Sequence, residues 1–167
     1  MNLQETLRPG FTYVVEHIRN GVVIDQEVTH NLVPLEGLNH FAGVALKGVA
    51  QVGTWYVGLF EGNYTPQLSD TASSLPAAAT EVTAYDEATR EALVLGSVSG
   101  GAVNNSASPA EFTASATKTI RGGFISSASG KGATTGVLAS VIKFTTPKAL
   151  DDGDVLRVTA GFTFASI

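Results

Sequence analysis

The sequence predicts a mainly β protein: an antiparallel β-sandwich, jelly-roll-like, with an N-terminal hairpin and one short helix. Short stretches rich in Val, Ile, Thr and aromatic residues recur along the chain with turn residues between them, as in sandwiches and barrels. Glycine is abundant, at 18 of 167 residues, and favours turns. The one Trp, Trp55, lies in a strand-like stretch, 54–60, whose large side chains suit the centre of a sheet core.

The composition argues against several classes of protein. At 167 residues the chain is long enough for one domain with a buried core. Charged residues make up only 15% of it, against about 25% in typical domains, so we expect partners to cover part of the surface. The net charge of −5, with scattered basic residues, argues against nucleic acid as a partner.

Targeting and redox features are also missing from the sequence. There is no cysteine, which excludes disulfides and thiolate metal sites. No stretch approaches the roughly 20 apolar residues that span a bilayer, and the first residues do not resemble a secretory signal. We therefore expect a soluble protein with no membrane partner.

Residues 1–30 are predicted to form an N-terminal arm that ends in a β-hairpin. Two β-branched runs, 11–19 and 22–29, are joined by Asn20 and Gly21. This dipeptide is favoured in two-residue type I′ turns, because both positions need a positive φ. The first run alternates, and the side chains on one of its faces are Phe11, Tyr13 and Val15.

The remainder of the chain, 31–167, is predicted to be a single sandwich domain with one helix near residues 35–47. Two internal glycines, Gly37 and Gly43, weaken this helix by about 1 kcal/mol each relative to Ala. We therefore expect it to form because it packs against the strand that contains Trp55. The apolar stripe available for that packing comprises Leu35, Leu38, Phe41, Ala42 and Ala45.

Five more strand-like stretches follow, at residues 90–95, 111–116, 118–126, 137–145 and 155–164. The pair Gly122–Gly123 predicts a bulge, and Pro147 predicts the end of the strand before it. Residues 61–83, between Trp55 and these strands, look irregular. Loops of this length are uncommon in compact domains and usually have a function or a partner.

Candidate metal and phosphate sites fail on spacing. The three histidines, His17, His30 and His40, are not spaced as ligands of one metal ion. The acidic turn 151–154 lacks the distant bidentate Glu of an EF-hand. The loop 126–135 contains Gly130–Lys131, but a Walker A loop requires glycine where Ile125 lies and Ser or Thr where Gly132 lies. We expect no cofactor and no metal.

Catalytic patterns fail as well. No Gly-x-Ser-x-Gly elbow precedes a helix. Asp86, Glu87 and Glu91 lie close together and suggest paired carboxylates. Their neighbours Tyr85 and Arg90 offer a simpler role, in which an ion pair and a ring hold the loop against the sheet. We expect that the protein is not an enzyme.

Two blocks of sequence carry a family resemblance. The first is Asn31-Leu-Val-Pro-Leu-Glu-Gly-Leu-Asn39 followed by Trp55-Tyr-Val-Gly-Leu-Phe-Glu-Gly-Asn-Tyr-Thr-Pro66. The second is Glu81-Val-Thr-Ala-Tyr-Asp-Glu-Ala-Thr-Arg90 with the downstream Gly122-Gly-Phe-Ile-Ser-Ser127. Together they resemble a set of small virion structural proteins of tailed bacteriophages, over roughly residues 30–165. The resemblance implies a β-rich fold, self-association and docking on a shell of repeated subunits, with no catalytic residues.

Within that set we expect a capsid decoration (cement) protein that stabilises the head shell by bridging capsid subunits. Its implied partners are the major capsid protein and copies of itself, as a dimer or trimer. Its implied location is the head surface of the virion, after synthesis in the cytoplasm of the host bacterium. One alternative is a tail, baseplate or fibre-associated structural protein. Another is a carbohydrate-binding β-module that uses as ring platforms Trp55, Tyr56 and Tyr64.

The predicted contact surface consists of the N-terminal arm and the loop 61–83. In this view the arm adds a strand to the sheet edge of a neighbour, and Trp55 belongs to the core. The apolar side chains predicted to contact partners are Tyr13, Val15, Val23, Tyr64, Pro66, Leu68 and Leu75.

Overall fold

The computed structural model describes residues 8–165, which form two antiparallel sheets and two helices. The predicted mainly β fold, a sandwich with an N-terminal hairpin and a short helix, is confirmed. Residues 1–7 of the predicted arm, and residues 166–167, lie outside the described part of the chain.

The elements follow one another in two sheets. The strands are β1 (Arg8–Arg19), β2 (Val22–His30), β3 (Tyr56–Phe60), β4 (Glu91–Ala92), β5 (Ala102–Asn104), β6 (Ala110–Thr113), β7 (Lys118–Ser126), β8 (Leu138–Leu150) and β9 (Val155–Ala165). The helices are α1 (Leu35–Leu46) and α2 (Leu75–Ala78). The larger sheet has the order β2-β1-β9-β5, with β6 also paired to β9, and the smaller sheet has the order β4-β3-β7-β8.

The N-terminal hairpin is an integral part of the larger sheet. Its turn is the predicted one, with φ of 51° at Asn20 and 76° at Gly21. However, β1 lies between β2 and β9 and pairs with β9 over its whole length, from Arg8 opposite Ala165 to Ile18 opposite Val155. This corrects the prediction of a separate arm. A detached hairpin would leave the apolar face of β1 in water, whereas within the larger sheet this face packs against the smaller sheet and is buried.

The main core lies between the two sheets. Its largest buried side chains come from both sheets and include Phe11, Tyr13, Phe112, Leu156, Val57, Leu59, Ile125 and Ile142. The hydroxyl of Tyr13 lies 2.6 Å from the Oγ of Ser140, which also accepts a hydrogen bond from the amide of Asn31 at 2.8 Å. This chain of hydrogen bonds satisfies the hydroxyl groups of Tyr13 and Ser140 inside the core.

A second, smaller core covers the outer face of the smaller sheet. Here the loop 61–83 folds back with α2 and buries Leu75 and Ala79 against the sheet. The buried residues on the sheet side are Phe60, Phe124, Leu138 and Val141. The apolar character of both faces of β3, visible in the sequence, is explained by these two cores.

Two glycines make room for aromatic rings in the smaller sheet. Gly58 is paired across the strands with Phe124, and Phe60 with Gly122. A Cβ atom at Gly58 would overlap the ring of Phe124, and one at Gly122 would overlap the ring of Phe60 and the carbonyl oxygen of Ile142. Each ring therefore lies over the bare backbone of the opposite strand, and larger side chains are excluded at both positions.

Helix α1 is seated mainly on β8, whereas the sequence predicted the strand of Trp55. Gly37 is the buried residue of the helix, and a Cβ atom there would lie 2.8 Å from the carbonyl oxygen of Leu138. The glycine that weakens the isolated helix thus permits its close contact with the sheet. The predicted stripe is only partly used, because Leu38 and Phe41 pack on the core while Leu35 is 53% exposed.

The strand predicted to end before Pro147 continues to Leu150. The pairing of β8 with β7 is interrupted between Ile120 and Gly122, which face Lys148 and Lys143. Pro147 falls in this interruption, where the ladder needs no N–H donor from it. The predicted bulge at Gly122–Gly123 is thus displaced: both glycines pair regularly, with Lys143 and Ile142, and the irregularity that accommodates the proline lies just before them.

Candidate docking site around Trp55

One end of the sandwich carries an open aromatic cleft. Its centre is Trp55, which directly precedes β3 and follows the irregular segment 47–54. The indole is half-buried: it packs against the main core on one side and lines the cleft on the other. The prediction that Trp55 belongs to the core therefore describes only one side of the ring.

Five rings from three elements meet at this cleft. His40 and Phe41 of α1 lie 5.6 and 6.0 Å from Trp55 between ring centroids, and the imidazole meets the indole edge to face at 80°. Phe162 of β9 lies 5.2 Å from Phe41. Phe164 lies 4.7 Å from Phe162 at 84°. These separations and angles are those of attractive aromatic pairs, so the rings form a continuous apolar wall.

Two adjoining cavities open at this end of the sandwich. The first, of about 200 Å³, is lined by the five rings together with Val44, Ala45, Gln51 and Val52. The second, of about 400 Å³, lies between residues 51–55 and residues 93–95. Gln51, Val52 and Trp55 line both cavities. No residue of either lining is Asp, Glu, Lys or Arg.

Large apolar side chains are exposed around this end. Phe164, Val94 and Leu95 line the cavities and are 47%, 53% and 39% exposed. At the end of α1, Leu46 is 82% exposed, and Val49 in the following segment is 47% exposed. Exposed apolar side chains gathered around a cleft are typical of sites of protein or ligand binding.

The side chains around the cleft are mainly aromatic, aliphatic or uncharged polar ones. His40 is the only titratable side chain in either lining. Within residues 8–165, no group of His, Cys, Asp or Glu is placed to hold a metal ion. No helix among the described residues is long and apolar enough to cross a membrane. What the arrangement offers is a set of apolar rings with free peptide groups beside them.

The carboxylates considered from the sequence have structural surroundings. Glu87 accepts a hydrogen bond from the backbone N–H of Thr113 at 3.1 Å. Burial, and then the charge of Glu87, raise the pKa of Glu91. Arg90 pairs with Glu81 instead of with these residues. Burial also raises the pKa of Tyr85, whose hydroxyl has no hydrogen-bond partner among the described residues.

Three of the seven predicted contact residues are buried in the chain's own cores: Tyr13, Val15 and Leu75. Their surface is occupied by neighbours in the same chain, which corrects the prediction that they contact a partner. Val23 and Leu68 are 45% and 53% exposed, and Tyr64 and Pro66 are half-buried. For these four residues a contact with a partner remains a prediction.

The structure also separates two of the three rings of the predicted sugar platform, Trp55 and Tyr64. Trp55 packs on the main core, whereas Tyr64 packs on the second core, against Phe60. Tyr64 is held there by its hydrogen bond to Asp70, and burial, followed by that carboxylate, raises its pKa to about 12. The rings therefore do not form one platform.

None of the predicted contact residues lines the Trp55 cleft. The sequence did contain partial signals for it: adjacent His40 and Phe41 on a helix, and Phe162 and Phe164 on one face of a strand. Their meeting with Trp55 depends on how the sheets pair, which no local pattern specifies.

Comparison with protein-family models and with curated proteins finds no match for the chain.

Proposed function

We propose that this protein is a virion structural protein of tailed bacteriophages, a capsid decoration protein that stabilises the head shell by bridging capsid subunits. The observation that carries the proposal is the open apolar end around Trp55. Its two cavities contain no charged side chain in their linings, and the centres of protein interfaces are likewise depleted in charge. The proposal assigns the chain no catalytic activity.

Two further features support a docking role. The rest of the molecule is a well-packed platform, because both faces of the smaller sheet are covered and the larger sheet packs against it through a shared core. The resemblance of residues 31–39, 55–66, 81–90 and 122–127 to phage virion proteins favours the virion over other assemblies. In the proposed assembly the partners are the major capsid protein and other copies of this chain.

Labelled electron microscopy of virions tests the proposal. Gold-conjugated antibodies raised against the purified chain should label the heads of intact particles, at a copy number that scales with the capsid lattice. Labelling of the tail alone would instead support a tail, baseplate or fibre-associated protein. Particles without label, from cells that express the chain, would contradict a virion role altogether.

A matched pair of variants connects the test to the cleft. Phe164→Asp places a charge on the exposed rim and should reduce head labelling, because a buried unpaired charge opposes docking. Val22→Asp, at a residue 61% exposed on β2 and away from the cleft, should leave labelling unchanged. Equal labelling with both variants would argue that another surface makes the contact.

A further inference from the structure

The ladder between β3 and β4 opens into the larger cavity at Trp55. Tyr56 pairs with Ala92 and Val57 with Glu91, and the N–H of Leu93 donates to the carbonyl oxygen of Trp55 at 2.8 Å. Beyond that bond the two segments no longer pair. Residues 51–54 on one side, and 94–95 on the other, line the cavity of about 400 Å³.

Both sides of this opening contain backbone peptide groups without a hydrogen-bond partner in the described part of the chain. Among residues 8–165, the backbone N–H and C=O groups of residues 51–54, Val94 and Leu95 form no hydrogen bond with another protein group. These two segments lie beyond the ends of β3 and β4 and are not strands themselves. Their unpaired peptide groups can still pair with an extended segment of another chain, as those of strand edges do, with alternate side chains entering pockets. The cavity is also within the range of about 300–1,000 Å³ in which ligand pockets fall.

A pocket for one large side chain lies directly beside the opening. The aromatic cavity of about 200 Å³ shares Gln51, Val52 and Trp55 with the larger one. A strand held along residues 51–54 would therefore direct one of its side chains at the five rings. The apolar lining favours an aromatic or branched aliphatic group there.

We infer that this opening binds an extended, uncharged peptide segment of a partner protein, which pairs with the peptide groups of residues 51–54 and 94–95 and inserts one large apolar side chain into the aromatic cavity. Charged ligands are disfavoured because neither lining contains Asp, Glu, Lys or Arg. A sugar would need several fixed polar side chains, and the aromatic cavity offers only His40 and Gln51. This inference rests on the docking role proposed above and names the chemistry of the partner.

The single Trp of the chain gives a direct signal from the site. Three blocked, uncharged hexapeptides, Ac-Ser-Val-X-Val-Ser-Ser-NH₂ with Phe, Ile or Leu at X, are titrated into the purified full-length chain. At least one should change the emission of Trp55 saturably. Replacing X by Ala should weaken binding at least tenfold. Methylating the peptide nitrogens of the two Val residues should do the same, because pairing needs their N–H groups.

A proline substitution tests the protein side of the pairing. Val94→Pro removes an N–H group that has no intramolecular partner, so the fold is kept while peptide binding falls at least tenfold. Val98→Pro is the matched control, because Val98 is an exposed valine of the same connection and lies outside both linings. It should bind like the wild type. Far-UV circular dichroism checks that both variants are folded.

Several results would overturn the inference. One is the absence of saturable change with all three peptides up to their solubility limits. Another is equal binding of the N-methylated peptides, which would show a side-chain pocket without strand pairing. These results are separable from the virion test: labelled heads without peptide binding overturn only the peptide inference, and peptide binding without labelled particles overturns only the proposed virion role.

Discussion

Glu81 and Arg90 form a two-point ion pair whose side chains are only 3% and 1% exposed. The Nε and Nη2 atoms of Arg90 donate to the two carboxylate oxygens at 2.8 and 2.7 Å. The same guanidinium donates to the carbonyl oxygens of Ala128 and Ala133, and lies 4.9 Å from the ring centroid of Phe124. One buried arginine therefore joins the segment 81–90 to the loop 127–136 and to the second core.

We predict that Glu81→Ala lowers the free energy of unfolding by about 3–5 kcal/mol, because Arg90 would remain as an uncompensated buried charge. The matched control is Glu61→Ala, whose pair with Lys118 is 30% and 31% exposed. Such a pair contributes about 0–1 kcal/mol. Urea denaturation of the two variants measures the difference. Equal losses in the free energy of unfolding would show that breaking the buried Glu81 pair is no more destabilising than breaking the exposed Glu61 pair.

We predict that Gly122→Ala is among the more destabilising single-methyl additions available in this chain. The added Cβ would overlap Phe60 and the backbone oxygen of Ile142, and backbone cannot rotate away as a flexible side chain can. Overpacking of this kind costs about 1–3 kcal/mol, and more where the structure cannot relax. Thermal unfolding followed by circular dichroism should show a clearly lowered midpoint.

Gly53→Ala is the control for that substitution. A Cβ atom at Gly53 meets no atom within 4 Å, so the same chemical change should leave the midpoint nearly unchanged. A midpoint for Gly122→Ala that matches that of Gly53→Ala would mean that the strands can separate to admit the methyl group, and that the ring-over-glycine pairing is not required.

The sequence predicted the elements better than their arrangement. The Asn20–Gly21 turn and α1 follow from local rules of φ preference and periodicity, and both are present. The partner of β1 was not predictable, since β9 lies more than a hundred residues later and an alternating strand fits any apolar surface. The prediction of an arm treated the hairpin as complete in itself, whereas its inner face needed a second sheet.

The candidate site was harder to predict for the same reason. Trp55, Phe41 and Phe162 are ordinary core residues when each is considered in its own segment. They become a cleft only because α1 rests on β8, which leaves the far end of the helix beside the ends of β9 and β3. Loop 61–83 was predicted to be functional from its length. The structure uses its apolar residues to cover the outer face of the smaller sheet.

Two valines of the hairpin test whether it belongs to the domain. Val15 is fully buried, at 0% exposure, and Val23 on the paired strand is 45% exposed. We predict that Val15→Ala lowers the free energy of unfolding by about 1–3 kcal/mol, because it removes buried methyl groups and leaves a cavity. Val23→Ala should change it by no more than about 0.5 kcal/mol.

Chemical denaturation followed by both circular dichroism and Trp55 fluorescence measures these changes. For an integral hairpin, the Val15→Ala transition should shift equally with the two probes, because Trp55 lies at the opposite sheet. A detachable arm predicts a different result: the substitution would alter the circular dichroism signal while leaving the fluorescence transition where it was.

Asp154 connects the turn after β8 to the end of β1, next to the hairpin turn. Its carboxylate accepts hydrogen bonds from Arg19 at 2.6 Å and from the backbone N–H of Asp151 at 2.9 Å, and lies 2.7 Å from the Nε2 of His17. The bond with Arg19, together with those from Asp151 and His17, outweighs burial and holds the pKa of Asp154 well below its ordinary value. The ionised carboxylate is therefore the form that the fold stabilises.

This lowered pKa predicts acid sensitivity with a definite sign. The unfolded chain takes up a proton at Asp154 near the ordinary Asp value of about 3.9, while the folded chain resists it. The stabilisation is therefore complete above that pH and is lost progressively as the pH falls below it.

Asp154→Asn should be less stable than the wild type at pH 7, and the difference in free energy of unfolding should narrow as the pH falls from about 5 to 2. Asp152→Asn, in the same turn but exposed, should follow the wild-type curve. Urea midpoints across this pH range measure the effect, and a gap between wild type and Asp154→Asn that stays constant with pH would show that the carboxylate acts through its shape and not through its charge.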